Sequence, residues 1–149
     1  MHKALWQTAL GAALSVLIAL PVCAQQQRPN FNGIWKLNET LSGTASTGPR
    51  EIVWKIEQAE PKFKYTASGK RGYMPFTEAY EFTTDGRAPA DASKVAVSGA
   101  WEGDALVMRY VRDGKDLARI RLRISADGKQ MTRDGAMGSV KIHEVYDRQ

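Results

Sequence analysis

The chain has 149 residues, which is enough for one domain with its own hydrophobic core. It contains one cysteine, Cys23, and two histidines, His2 and His143, so a disulfide within the chain and a multi-histidine zinc site are both excluded. Most hydrolase mechanisms need a free imidazole and are disfavoured for the same reason. The formal net charge of +5 is spread along the chain, and we expect no nucleic-acid partner, no metal and no cofactor.

Residues 1–24 have the three parts of a secretory signal peptide: the basic Lys3, an apolar run over 9–20 and small residues up to Ala24. The run is too short to span a bilayer comfortably. We predict cleavage after Ala24, no transmembrane segment in the rest of the chain, and export to the periplasm or exterior of a bacterial cell. Lipid attachment at Cys23 is the alternative, but Val22 stands where such sequences need Gly, Ala or Ser.

Residues 25–149 consist of short runs in which apolar and polar residues alternate, separated by turn signals about every 8–12 residues. In EIVWKIEQ, for example, Ile52, Trp54 and Ile56 share one face of a strand. This pattern is typical of an all-β domain with about nine strands. The predicted strands are 33–38, 51–58, 61–68, 73–84, 94–101, 105–112, 117–125, 130–134 and 139–148.

Strands that each lie beside their sequence neighbour form a sheet with two unpaired edges unless the sheet closes. Pairing of the first strand, 33–38, with the last, 139–148, would remove those edges. The sequence therefore predicts a single antiparallel up-and-down barrel of about 8–10 strands, preceded by the signal peptide. A barrel of this size is either filled by its side chains or keeps room for one small ligand, and the sequence leaves both alternatives open.

The motif FNGIWKLN at 31–38 resembles the first strand of lipocalins and of fatty-acid-binding proteins, which share a calycin-type barrel. The segments WEGDALVMRYVRDGKDL, SADGKQMT and VYDRQ are similar to the hairpins and final strand of small secreted bacterial lipocalin-like proteins. The resemblance implies that Gly33 permits a close approach of the backbone and that Trp35 plugs one end of the barrel.

Two departures from fatty-acid-binding proteins limit what the resemblance implies. The segment 38–50 is too short and too rich in Ser, Thr and Gly for the helical pair of those proteins. Tyr146, Asp147 and Arg148 reverse the order of the Arg-x-Tyr that grips a carboxylate there. Fatty-acid binding therefore does not transfer residue by residue.

The residues expected inside the barrel are mostly aromatic and include one carboxylate. Glu78 would be desolvated among apolar neighbours unless a partner neutralises it, and a bulge at Pro75 that turns it outward is the alternative. We predict a non-enzymatic barrel that holds a small hydrophobic or amphipathic ligand, with Glu78 orienting a polar group. The predicted ligand-binding residues are Trp54, Tyr65, Phe76, Glu78, Tyr80, Phe82, Trp101 and Tyr110.

A row of arginines is predicted on the outer face, because Arg119, Arg121 and Arg123 alternate with apolar residues and a hairpin brings Arg109 beside them. This row is either a solvated exterior or a docking site for an anionic partner. The alternative function is an envelope structural or interaction protein with a filled barrel, acting through this basic face. No acid–base pair emerges from the sequence, so we predict no enzymatic activity. The sequence does not indicate an oligomeric state.

Overall fold

The structure is a computed structural model that describes residues 27–43, 50–87 and 94–149. The predicted signal peptide and Cys23 lie outside these residues. None of the described residues forms a helix long and apolar enough to cross a membrane. The described strands are β1 (Gly33–Leu37), β2 (Arg50–Ala59), β3 (Lys62–Arg71), β4 (Met74–Thr83), β5 (Ala96–Glu102), β6 (Ala105–Arg112), β7 (Lys115–Ile124), β8 (Gln130–Met137) and β9 (Val140–Arg148).

The nine strands form one sheet in the order β4-β3-β2-β1-β9-β8-β7-β6-β5, and all hydrogen-bonded neighbours are antiparallel. β1 joins the two halves, since Trp35 is opposite Trp54 of β2 on one side and Arg148 of β9 on the other. The predicted pairing of the first and last strands is therefore confirmed. The result is the predicted all-β up-and-down barrel, nearly closed.

The barrel is incomplete between β4 and β5, which are the two edges of the sheet. We expected every strand to lie beside its sequence neighbour, and this expectation is wrong at one place. The turn at Asp85 and Gly86 sends the chain back alongside β5, where Asp85 bridges Ala100 and the Gly86 N–H donates to the Gly99 carbonyl at 2.7 Å. Phe82 packs over Gly99, because a Cβ there would lie 2.3 Å from the Phe82 ring.

Aromatic side chains close one end of the barrel, which we call the closed end. Trp35 is fully buried, its Nε1–H donates to the Phe31 carbonyl at 2.8 Å, and the Arg148 guanidinium lies 4.2 Å from its ring centroid. Gly33 has a φ of +130°, whereas a Cβ on it would meet only Arg148 Nη1, at an ordinary 3.5 Å. The glycine is therefore explained by its backbone angle and not by the close backbone approach that the resemblance implied.

The other end of the barrel, which we call the open end, has no such plug among the described residues. Because successive strands alternate in direction, the turns that follow β3, β6 and β8 meet there, together with the described part of the β1–β2 connection, 38–43, and the start of β2 at Arg50. Val95, just before β5, lies at the same end and is half-buried. Aromatic packing at one end and hairpin tips at the other give the barrel two chemically different ends.

Candidate functional site

A cavity of about 480 Å³ lies inside the barrel at the open end. This volume falls in the range of roughly 300–1,000 Å³ that is typical of small-molecule pockets. The interior is therefore not completely filled by side chains. The apolar and aromatic lining residues are Tyr80, Val95, Tyr110, Leu117, Met137, Val140 and Ile142. The charged lining residues are Arg50, Arg71, Glu78, Arg112, Arg133 and Glu144.

Two arginines share one carboxylate at the base of the cavity. Arg50 Nη1 donates to Glu144 Oε1 at 2.9 Å, and Arg133 Nη1 donates to Glu144 Oε2 at 2.8 Å. The Tyr146 hydroxyl also donates to Glu144 Oε2, at 2.8 Å. The three charged side chains are only 7–8% exposed, so the charges interact with little screening. We call Arg50, Arg133 and Glu144 the basal triad, and it carries one surplus positive charge.

Arg133 also has an unused hydrogen-bond donor. Its Nε is buried and has no partner within the part of the chain that the structure describes. Burial disfavours the charged guanidinium, but the negative charge and hydrogen bond of Glu144 stabilise it, and the pKa of Arg133 is raised. The base of the cavity can therefore donate to an additional acceptor while staying positively charged.

The register of the last hairpin explains how the basal triad forms. Arg133 of β8 is directly opposite Glu144 of β9, and Glu144 alternates with Ile142 and Tyr146 on the inner face. The sequence analysis missed the triad, because it left Arg50 in a loop and did not pair Arg133, inside the predicted strand 130–134, with Glu144 of the last strand. The sequence did contain a signal for Glu144, since this carboxylate alternates with the apolar Ile142 and Tyr146 on one face of a strand. The same pattern singled out Glu78.

Phenol groups extend the polar network beneath the cavity. The hydroxyls of Tyr65 and Tyr110 are 2.7 Å apart, and the Tyr65 ring stacks on Trp54 with centroids 4.3 Å apart. Burial is the main reason that the pKa values of Tyr65, Tyr110 and Tyr146 are raised. These three groups are therefore neutral hydrogen-bonding groups near pH 7.

The raised phenol pKa values predict an alkaline loss of stability. Unfolded tyrosine titrates near pH 10, so above this pH the folded chain keeps protons that the unfolded chain has lost. Stability present below pH 10 is then lost as the pH rises, by about 1.4 kcal/mol per pH unit for each phenol. Urea unfolding at several pH values should show little slope below about pH 9 and a slope that rises above pH 10 towards roughly 4 kcal/mol per unit for the three together.

The control for this slope is a tyrosine at the surface. Tyr65→Phe should remove about a third of the slope, since it removes one of three such phenols. Tyr73→Phe should not change it, because Tyr73 is 91% exposed. Equal slopes in the wild type and Tyr65→Phe would contradict the prediction.

Glu78 lies at the mouth of the cavity and faces inward. β4 pairs with β3 in continuous register from Met74 to Thr83, with no bulge at Pro75, so the bulge alternative is wrong. Arg71 donates to Glu78 at 3.3 Å and also covers the Phe76 ring at 3.8 Å. Arg71 is thus the neutralising partner that an inward carboxylate requires.

The structure separates the aromatic residues predicted to bind ligand. From the predicted set, only Glu78, Tyr80 and Tyr110 line the cavity. Trp101 instead packs against Phe31 at the closed end, with centroids 6.0 Å apart. Trp54 and Tyr65 are buried beneath the cavity, Phe82 is buried against Phe63, and Phe76 is half-buried under Arg71.

No family model matches this sequence, and no curated protein matches it. Solved structures do match it over most of their length. A mutant of the fluorescent protein UnaG is 17% identical with a TM-score of 0.58, and the alignment covers 80% of this chain and 96% of that one. Fatty-acid-binding protein 1 of Echinococcus granulosus is 13% identical with a TM-score of 0.59, and the alignment covers 79% of this chain and 96% of that one. Human cRBP IV is 11% identical with a TM-score of 0.58, and the alignment covers 80% of this chain and 98% of that one. The chain has a calycin fold.

The outer arginine row of this barrel is accompanied by carboxylates. Arg109 binds Asp116 at 2.7 Å, while Arg119 and Arg121 bind the two oxygens of Glu102 at 2.5 and 2.6 Å. The hydrogen bond from Arg121 contributes most to lowering the pKa of Glu102. Arg123 lies 3.7 Å from Asp104. The row is outside the barrel as predicted, but its positive charge is largely offset.

The cavity of the barrel contains arginine, carboxylate and phenol groups. Within residues 27–43, 50–87 and 94–149, no group of three or more His, Cys, Asp or Glu side chains is arranged to hold a metal ion. The cavity groups can form charge-assisted hydrogen bonds to a polar group at the base and apolar contacts along the wall.

Proposed function

We propose that this chain binds a small amphipathic molecule inside its barrel and does not catalyse a reaction. The observation that carries this proposal is the cavity of about 480 Å³, which has a charged base and a mostly apolar wall. Such a combination of apolar lining and a few convergent polar groups is typical of small-molecule sites. A fatty-acid-binding protein among the structures of similar fold supports the same function.

The polar end of the ligand lies at the basal triad in this proposal. Glu144 already accepts from both Arg50 and Arg133, so the surplus charge favours a ligand with one negative charge or a strong acceptor. The unpartnered Nε of Arg133 provides the donor. The apolar part of the ligand then extends along Leu117 and Ile142 towards the open end.

We also propose that this binding takes place outside the cytoplasm. The support is the signal-peptide pattern of residues 1–24, with its apolar run and the small residues before Ala24. The protein should be recovered from outside the cytoplasm, and its intact mass should correspond to a chain that begins at Gln25 and lacks residues 1–24. A lipid-modified Cys23 at the N-terminus would contradict cleavage after Ala24, and recovery of the uncleaved chain from the cytoplasm would contradict export.

Titration with fluorescent probes tests the cavity. An anionic naphthalene sulfonate and an uncharged naphthalene dye should both bind saturably, and the anionic probe should bind more tightly because of the basal triad. Leu117→Trp should weaken both by at least about tenfold, since the larger ring fills the cavity. Ile34→Trp is the matched control, because Ile34 is 48% exposed on the barrel exterior.

Two outcomes would contradict the cavity proposal. One is the absence of saturable uptake of either probe by the wild type. The other is equal binding by Leu117→Trp and Ile34→Trp, which would move the probe to the surface. The alternative function through the outer arginine row has less support, since its arginines are paired with Asp116, Glu102 and Asp104.

A further inference from the structure

Large apolar side chains are exposed mainly at the open end of the barrel. Four of the six exposed in the described residues are Tyr73 (91%), Met74 (73%), Met137 (48%) and Val140 (50%). They lie at the β3–β4 and β8–β9 turns, and Met137 and Val140 also line the cavity mouth. Exposed apolar groups concentrated around one opening indicate a surface that contacts something other than water.

The same end is rich in basic residues. Its hairpin turns and the segment before β5, namely 70–74, 94–95, 112–116 and 137–141, contain six cations and two carboxylates, and the described part of the β1–β2 connection, 38–43, with the start of β2 at 50–51, adds one cation and two carboxylates. One of the carboxylates, Asp116, is bound by Arg109, which further reduces the negative charge. The cations of these turns and of 94–95 are Lys70, Arg71, Lys94, Arg112, Lys115 and Lys141, and Arg71 is paired with Glu78 at 3.3 Å.

The turns of the closed end have the opposite character. The segments 59–62, 84–87, 102–105 and 125–129 contain five carboxylates and three cations. None of the exposed large apolar residues is in these turns. The two ends of one barrel therefore differ in both charge and apolar exposure, and only the end with the cavity mouth combines cations with exposed apolar groups.

We propose that the open end docks on an anionic lipid surface, with the mouth of the cavity facing the bilayer. Basic residues near the surface attract anionic headgroups, and apolar residues at the same level enter the interface. Tyr73 suits this position, because a tyrosine has an apolar ring and a polar hydroxyl. We call the exposed apolar and basic residues of the open end the docking rim.

The arrangement favours a bilayer over an acidic protein partner. The exposed apolar side chains lie on two separate hairpin turns, at Tyr73–Met74 and Met137–Val140, with cations on both sides. A specific protein interface needs a closely packed, continuous apolar centre. A bilayer interface accepts separate apolar groups at one depth, since lipid adapts to each of them. The docking goes beyond the proposed cavity function and is measurable without a cavity ligand.

Vesicle sedimentation tests the docking with residues 25–149, the chain expected after cleavage of the predicted signal peptide. The protein should bind vesicles that contain equal parts phosphatidylglycerol and phosphatidylcholine, and bind pure phosphatidylcholine far more weakly. The triple substitution Lys70→Gln, Lys115→Gln and Lys141→Gln should lower the affinity for anionic vesicles on the order of a hundredfold. The matched control substitutes Lys36, Lys62 and Lys129, which are exposed elsewhere on the barrel, by Gln.

The apolar part of the docking rim is tested in the same assay. Tyr73→Ser with Met74→Ser should weaken vesicle binding by at least about tenfold, whereas Ile34→Ser should not change it. All these side chains are exposed, so urea midpoints should stay the same and exclude misfolding. Probe uptake by the cavity should also persist in every rim variant, because none of the substituted residues lines the cavity.

The proposal is overturned if the wild type does not bind anionic vesicles, or if rim and control variants bind them equally. Tighter binding of polyglutamate than of the vesicles would also overturn it, by assigning the rim to an acidic protein partner. Vesicle binding without probe uptake would contradict the cavity function alone. Probe uptake without vesicle binding would contradict the docking alone.

Discussion

Trp35→Ala should lower the free energy of unfolding by about 3–5 kcal/mol, the usual effect of truncating a buried aromatic residue. Trp35 is fully buried, donates to the Phe31 carbonyl and lies under the Arg148 guanidinium, so its removal leaves a cavity and an unpaired carbonyl. Domains of this size have a total stability of roughly 5–15 kcal/mol. The variant should therefore unfold at a much lower urea concentration or fail to accumulate.

The control for Trp35→Ala is Tyr73→Ala, an exposed aromatic residue whose truncation should change the urea midpoint only slightly. Probe binding by any folded Trp35→Ala protein should persist, because Trp35 is at the closed end and does not line the cavity. An unchanged midpoint together with lost probe binding would contradict the structural role. That result would instead place the binding site beside Trp35.

Glu144→Gln should have a comparable effect on stability, about 3–5 kcal/mol, because it removes the shared partner of two buried cations. Arg50 and Arg133 would then lie side by side with no negative charge between them. In the remaining folded protein, the more positive base should bind an anionic naphthalene sulfonate more tightly than the wild type does. Urea unfolding and probe titration of the same sample measure both effects.

Two comparisons separate the role of the basal triad from a general loss of charge. Glu102→Gln also removes a carboxylate shared by two arginines, but these are exposed, so the urea midpoint should hardly change. Replacing Arg50, Arg133 and Glu144 together by apolar residues of similar size should restore much of the stability and abolish the preference for the anionic probe. Similar midpoints for Glu144→Gln and Glu102→Gln would contradict the proposed buried pairing.

Alternating side chains were sufficient to predict the strands and the closure of the barrel. A period of two puts Ile52, Trp54 and Ile56 on one face, and all three are buried in the structure. The same period predicted that Glu78 shares a face with Tyr80. Whether a bulge would turn Glu78 outward depended on the pairing of β4 with β3, which local sequence does not specify.

The composition of the cavity depended on contacts between distant segments. Arg50 and Glu144 are 94 positions apart in sequence, and only the closure of the barrel brings them within 2.9 Å. The aromatic residues divided between the cavity, the core beneath it and the closed end, because each position along a strand corresponds to a different depth in the barrel. A period of two assigns a side chain to the inside or outside but carries no information about depth.

The sequence by itself determined most of the inward-facing side chains, most of the turns, and that the first and last strands pair, since these follow from local alternation and from the cost of unpaired edges. Only the tertiary structure decided that β4 and β5 stay apart and that Arg50, Arg133 and Glu144 meet. The physical reason is that registers across the sheet fix depth and partner, and these registers depend on the packing of all nine strands together.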